Sequence, residues 1–238
     1  MTGEAADRRA EIAAGLSAVR ARIAGACAAA GRDPGDITLI GVTKTFPASD
    51  VRLLAGLGVT DVGENRDADA APKARACADL PLNWHFVGQL QTNKARSVAG
   101  YAGVVHSVDR RRLVTALDHA AAHAGRTLTC LVQVDLDPDP KPDRGGAVPD
   151  DVPDLADAIA AANALRLGGV MAVAPLDGDP IEAFTRLAGV ARDTRERHPG
   201  ATIVSAGMSG DLEQAIRCGA THIRVGTALL GYRSGRVG

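Results

Sequence analysis

Eight short apolar runs alternate with segments of helical period along this chain, and that alternation limits its fold more than any other feature. The runs are Ile37–Thr43, Thr60–Val62, Asn83–Phe86, Gly103–His106, Leu128–Val134, Leu167–Val173, Thr202–Val204 and His222–Val225. Strands joined by helical crossovers pair in parallel, because a tight turn cannot return the chain to the same end of the sheet. Eight such units in about 200 residues match a barrel closed on itself. The competing fold, a doubly wound open sheet, lacks its signature, since no Gly-x-Gly-x-x-Gly follows an early strand. The reading is an α/β chain forming a single (β/α)8 barrel of the TIM type.

Ahead of the barrel, Ile12, Leu16, Val19, Ile23 and Ala30 recur at helical spacings and stop at Gly31. That pattern predicts an extra N-terminal helix over 1–31, followed by a turn at Asp33-Pro34-Gly35 and the barrel over 37–231. Asp109 is placed to N-cap a helix with Leu113, Leu117 and Ala120 inward, closed by Gly125. Further helical patterns run from about Asp150 through Leu155 and Ile159, over Ile181, Phe184, Leu187 and Ala191, and over Leu212, Ala215 and Ile216 before Gly219. No linker, repeat or low-complexity tract divides the chain, so residues 1–238 read as one domain. The Pro- and Asp-rich stretch Asp135–Pro149 reads as a long loop after the fifth strand.

Several function classes are disfavoured. A formal net charge of −1 gives no electrostatic footprint for nucleic acid or a membrane surface. Cys27, Cys77, Cys130 and Cys218 are far apart, with no Cys-x-x-Cys and no histidine at metal-ligand spacing, so reduced thiols and no metal are expected. Glu4, Asp7 and Glu11 fit neither a signal nor a transit peptide. No apolar run reads as long enough to span a bilayer. The expectation is a soluble, cytoplasmic protein.

Barrels of this type carry their chemistry at the C-terminal ends of the strands, with phosphate often held after strands seven and eight. Here those ends carry Lys44, Glu64-Asn65, Gly88-Gln89, Ser107, Asp135, Met171-Ala172, Ser205–Ser209 and Arg224–Thr227. Lysine occurs only at Lys44, Lys73, Lys94 and Lys141. At the end of an apolar strand, Lys44 is expected to be partly desolvated, which favours the neutral amine that attacks an aldehyde; the alternative is a side chain snorkelling to water. Gly207-Met208-Ser209-Gly210-Asp211 and Gly226-Thr227 offer backbone and hydroxyl donors suited to a phosphate. Ser209 or Asp211 serving only as a helix cap, and Arg224 as a strand-end salt bridge, are the plainer readings. Asn65 either presents its amide to a ligand or caps the next helix. His85 reads as a hydrogen-bonded core histidine, Arg110-Arg111-Arg112 as a solvated helix start, and Gln91-Thr92-Asn93-Lys94 as a surface cap.

Taken together, these segments resemble the pyridoxal phosphate (PLP) homeostasis proteins, which are related to the alanine racemase N-terminal domain barrel. The similar stretches are Gly41–Pro47, Gly63-Glu64-Asn65, Trp84–Lys94, Leu167–Ala172, Gly207–Asp211 and His222–Gly231, in order over about residues 37 to 231. Asp139–Arg144 is unusually rich in Pro and Asp for the loop after strand five, and no function is carried onto it. The resemblance implies PLP held as a Schiff base on Lys44. It also implies phosphate contacts from Ser209, Gly226 and Thr227, Arg224 directed at the pyridine nitrogen, and Asn65 and Met208 lining the site. A permanent cation there disfavours protonation of the ring nitrogen and weakens the ring as an electron sink.

The family resemblance further implies a carrier or buffer of PLP without catalytic turnover, delivering the cofactor to apo PLP-dependent enzymes. Racemisation needs acid–base groups on both faces of the substrate carbon, and the tyrosines, Tyr101 and Tyr232, stand at no predicted C-terminal strand end. The chain also stops at Gly238, soon after the eighth unit. The alternatives are a PLP-dependent amino-acid racemase and, less favoured, a barrel aldolase using Lys44 on a sugar phosphate.

Overall fold

The computed structural model describes residues 3–137 and 145–231; Asp139–Arg144, Lys141 and Tyr232 lie outside them. The eight strands are β1 (Thr38–Val42), β2 (Asp61–Glu64), β3 (Asn83–Phe86), β4 (Val104–Val108), β5 (Leu128–Gln133), β6 (Leu165–Met171), β7 (Ile203–Ser205) and β8 (His222–Val225). They pair in parallel in chain order and close into a barrel. The seam is β1 on β8, with Thr38 opposite His222, Ile40 opposite Arg224 and Gly41 opposite Val225. β4 is buried throughout and β5 up to its last residue, as expected for parallel strands covered on both faces.

Around the barrel run α2 (Ala48–Gly56), α3 (Asp67–Ala76), α4 (Ala95–Ala99), α5 (Arg111–His123), α6 (Val152–Ala160), α7 (Pro180–Arg197), α8 (Leu212–Arg217) and α9 (Thr227–Leu230), with α1 (Gly3–Ala30) ahead of them. The helical stripes read from sequence face the core: Leu113 and Leu117 of α5, Leu155 and Ile159 of α6, and Phe184 and Leu187 of α7 are buried. Strand boundaries differ from expectation by up to two residues: β6 starts and ends two residues earlier than Leu167–Val173, and β2 and β4 end two residues later than Val62 and His106. Asp109 does not cap α5: Arg110 occupies the N-cap without a side-chain bond, and the Asp109 carboxylate is taken by the Arg110 guanidinium instead.

α1 corrects a further expectation. By length and composition Ala5–Ala30 is apolar enough to cross a membrane, because its many alanines raise the mean hydropathy. In the fold its large side chains serve the core. Ile12, Leu16, Val19 and Ile23 are buried, and the helix packs on α8 and α9. Burial of each such side chain contributes roughly 1.5–3 kcal/mol. Gly15 permits this docking, since a Cβ there would collide with the Leu229 carbonyl oxygen of α9. Arg22 adds bonds of 2.6 and 2.8 Å to Glu213 and of 2.9 Å to the Ser209 carbonyl. The ion pair is half in water, so it contributes about 1 kcal/mol at most; its effect is to tie α1 to the loop after β7.

Cys27, Cys77 and Cys130 are buried and Cys218 half-buried, all as free thiols. Of the loop after β5, the described ends are pinned by a bridge from Val134 to Ala147 and by Gln133 Nε2 donating to Gly145 O at 2.7 Å.

Candidate functional site

The seam places the sequence-predicted residues on neighbouring strand ends. Lys44 follows β1, Asn65 follows β2, Gly226 and Thr227 follow β8, and Met208 and Ser209 follow β7. Gly226 lies against β1, where an added Cβ would sit 3.2 Å from Val42 O. Ser209 Oγ accepts from Ala228 N at 3.2 Å, which joins the loops after β7 and β8. A hydroxyl that accepts keeps its own proton to donate. Thr227 is exposed and Ser209 half-buried.

Lys44 is exposed, not desolvated as the apolar run suggested, because β1 ends at Val42 and the chain turns before α2. Next to it, Thr45 holds a φ of 69°. A β-branched residue in the left-handed region costs roughly 1–2 kcal/mol, so the turn presenting Lys44 is maintained against local strain.

Arg224 is the most distinctive residue of the mouth. It is 4% exposed, and among the described residues no carboxylate forms an ion pair with it, contrary to the strand-end salt bridge. Its Nη1 donates to Ser205 Oγ at 2.6 Å and its Nη2 to Ala172 O at 2.8 Å. Burial pulls its pKa down to about 10, opposed by the charge of Asp211, so it remains a cation at neutral pH. A guanidinium has five N–H groups, and these two bonds leave donors over for a ligand.

Other expectations resolve plainly. Asn65 is not a helix cap, since Arg66 holds that place in α3. Its backbone is packed so tightly by Gly88 that a Cβ there would overlap its carbonyl oxygen. Met208 is 39% exposed, and its N–H donates to Asp211 Oδ1 at 2.6 Å, so Asp211 closes the loop. His85 is a buried, hydrogen-bonded histidine, as read. Arg111 and Arg112 are solvated at the start of α5, while Arg110 also holds Leu90 O at 2.9 Å. Thr92–Lys94 form a short 3-10 helix whose N-cap, Gln91, makes no side-chain bond.

Sequence reasoning missed two polar groupings. Glu64 is fully buried at the end of β2, where its Oε1 accepts from Thr43 Oγ1 and from Lys73 Nζ, both at 2.6 Å. Lys73 also donates to Thr43 O at 2.8 Å, bracing the strand end that carries Lys44. The rarity of lysine was the available signal, but α3 was not recognised. The second grouping runs through the barrel interior: Asp61, His85, His106 and Ser205, ending on Arg224.

The alanine racemase N-terminal domain family matches residues 16–234. A protein of Mycobacterium bovis named pyridoxal phosphate homeostasis protein is 45% identical over 95% of each chain. One of the same name from Pseudomonas aeruginosa is 39% identical over 93% of this chain and 96% of its own. Among solved structures, PipY of Synechococcus elongatus with PLP bound superposes with a TM-score of 0.80 at 33% identity, covering 92% of this chain and all of that one.

Proposed function

The chain belongs to the pyridoxal phosphate homeostasis proteins of the alanine racemase N-terminal domain family, and from that premise we propose that it binds PLP as a carrier or buffer in intracellular PLP homeostasis, with the cofactor held as a Schiff base on Lys44. The observation that carries this reading is Arg224, a cation buried in the barrel mouth with no carboxylate partner among the described residues. A buried charge needs an acceptor, and a ring nitrogen with a lone pair supplies one.

The donor set fits the group. When bound, the cofactor supplies an aldehyde that a primary amine captures reversibly, with loss of water, together with a dianionic phosphate. The Lys44 amine stands at the mouth to make that attachment. The hydroxyls of Ser209 and Thr227 and the backbone at Gly226 hold the phosphate, and Arg22 steadies the Ser209 loop from outside. Asn65 and Met208 line the remaining wall. Arg224 keeps the ring nitrogen unprotonated, which limits how far the ring stabilises a carbanion.

Carriage is favoured over turnover by the position of Tyr101. It lies between α4 and β4, on the N-terminal side of the barrel, with its ring edge-on to Trp84 at 6.4 Å. It therefore supplies no acid to the far face of a bound ligand. The partners we propose are apo PLP-dependent enzymes, and the setting is the cytoplasm. In the test, PLP-loaded protein develops a visible absorbance band that Lys44→Ala abolishes with the far-UV spectrum unchanged. Mixing loaded protein with an apo PLP enzyme then restores that enzyme's activity. A band that survives in Lys44→Ala refutes the attachment, and no gain of activity refutes the carrier role.

A further inference from the structure

Five polar side chains cross the apolar barrel interior in single file. Arg224 Nη1 donates to Ser205 Oγ at 2.6 Å; Ser205 Oγ lies 3.0 Å from His106 Nδ1; His106 Nε2 lies 2.8 Å from His85 Nδ1; His85 Nε2 lies 2.9 Å from Asp61 Oδ1. Ser205, His106 and His85 are at most 1% exposed. Asp61 is 26% exposed at the opposite end of the barrel, on a cavity of about 570 Å³ that Arg20 and Thr38 also line. So many polar atoms are not needed to fill a core that Val104, Leu131 and Met171 otherwise pack.

The direction of every bond follows from the two ends. Asp61 is held below the usual carboxylate range: burial alone would raise it, but the bonds from His85 and Asn83 outweigh burial. An ionised carboxylate only accepts, so His85 carries a proton on Nε2, and in the neutral ring Nδ1 is then the acceptor. His106 is neutral, because burial opposes its protonation. It must therefore donate from Nε2 to His85 and accept on Nδ1 from the Ser205 hydroxyl. Ser205 accepts from Arg224 in turn. Asn83 Nδ2, though 3.0 Å from His85 Nε2, faces a donor there and donates to Asp61 at 2.9 Å instead. Reversing the file would set a lone pair of His85 against the Asp61 carboxylate at 2.9 Å, which an ionised Asp61 forbids.

We propose that Asp61, His85, His106 and Ser205 are positioning residues, a one-way hydrogen-bond relay that aims Arg224 at the ligand and couples its hold to the charge of Asp61 at the far end of the barrel. This deepens the reading of Arg224 as the partner of the PLP ring nitrogen and rests on it. Neutralising Asp61 gives it a donor, removes the charge that fixes the direction and lets the file reverse. Ser205 then accepts from both His106 and Arg224, and the guanidinium is held less firmly. The other groups facing the relay are His222 of β8, 6.4 Å from the His85 ring, the amide of Asn83, and Asp211, whose charge reaches Arg224.

The first test needs no cofactor. Imidazole 15N NMR of the unliganded protein should find His85 and His106 as Nε2–H tautomers, with that preference lost in Asp61→Ala, which removes the acceptor. Tautomers that are mixed in wild type, or identical in both proteins, overturn the relay. The second test follows the visible band of the PLP-loaded protein against pH. Ser205→Ala should raise the midpoint of its ring-nitrogen transition by about one pH unit or less, because a slackened Arg224 opposes protonation less, and Ser205→Thr should restore it. A midpoint unmoved by Ser205→Ala sinks the relay while leaving PLP binding intact. A wild type that gains no band at all refutes the reading of the site, and the relay's role falls with it.

Discussion

Acidification should destabilise this barrel well above the pH at which its carboxylates are protonated, through one buried and one half-buried histidine. Burial pushes the His222 pKa down to about 4, with Asp61 and a backbone bond at Thr221 opposing. His106 is pushed well below 6.5, mainly by burial. Such a group is neutral in the native state and charged in the unfolded chain below pH 6.5. The unfolded state therefore binds more protons as pH falls from 6.5 towards the folded value, and stability declines over that range. Integrated from pH 7.5 to 5, His222 alone costs about 2 kcal/mol, and His106 adds to the loss in the same direction. Even the His222 share is a measurable part of a typical domain's 5–15 kcal/mol. Asp61, Asp157 and Glu213 act in the same direction, but their native pKa values lie below the usual carboxylate range, so their losses come mostly below pH 5.

Urea unfolding of the unliganded protein, followed by far-UV circular dichroism at pH 7.5 and 5, measures this directly. His222→Asn removes one of the two titrations and should cut the loss by about 2 kcal/mol, with the denaturant slope unchanged. An equal loss in wild type and variant would show that His222 is not held neutral by the fold. A wild type equally stable at both pH values would refute the argument for both histidines.

Ser209→Ala and Thr227→Ala should each weaken PLP more than pyridoxal by roughly 1.5–3 kcal/mol, since only the phosphate loses a charge-assisted bond; equal losses in a titration of both ligands refute the phosphate assignment. Gly88→Ala should shift the Asn65 backbone and lower PLP affinity while most of the barrel's amide NMR peaks stay in place, because the collision is local; unchanged affinity would show that Asn65 has no part in the site. Chiral chromatography after long incubation of the loaded protein with amino acids should find no racemisation, and turnover of about 1 s⁻¹ or faster would restore the racemase reading.

The barrel was legible because strands buried on both faces leave continuous apolar runs, and all eight were located to within two or three residues at each end. The helices read clearly only where large side chains repeat. α3 and α4 are built of alanine with few large apolar residues, so periodicity has little to register there. That omission hid Lys73 and its bond to Glu64, a contact that exists only once α3 is folded back on β2. The exposure of Lys44 was misjudged for a related reason: an apolar run shows that a strand is buried, not where its barrel opens.

The two halves of the site differ in how far sequence can reach them, and the difference is physical. The residues proposed to grip a ligand lie in contiguous loops, and Gly207–Asp211 and Gly226-Thr227 announce themselves by glycines and hydroxyls in a row. Residues that aim Arg224 come one each from β2, β3, β4 and β7, separated by between 21 and 99 positions. Each looks like an isolated polar residue in an apolar strand. Only the register, which sets Asp61 beside Asn83 and Ser205 beside His222, brings them to one axis. A closed barrel turns every second residue inward, so a single inward polar residue would have to be dropped or paired. Here the file runs unbroken from Asp61 to Arg224. The cation that serves the mouth is therefore supported from the opposite end of the molecule, and substitutions at Asp61 should be felt at a ligand it never touches.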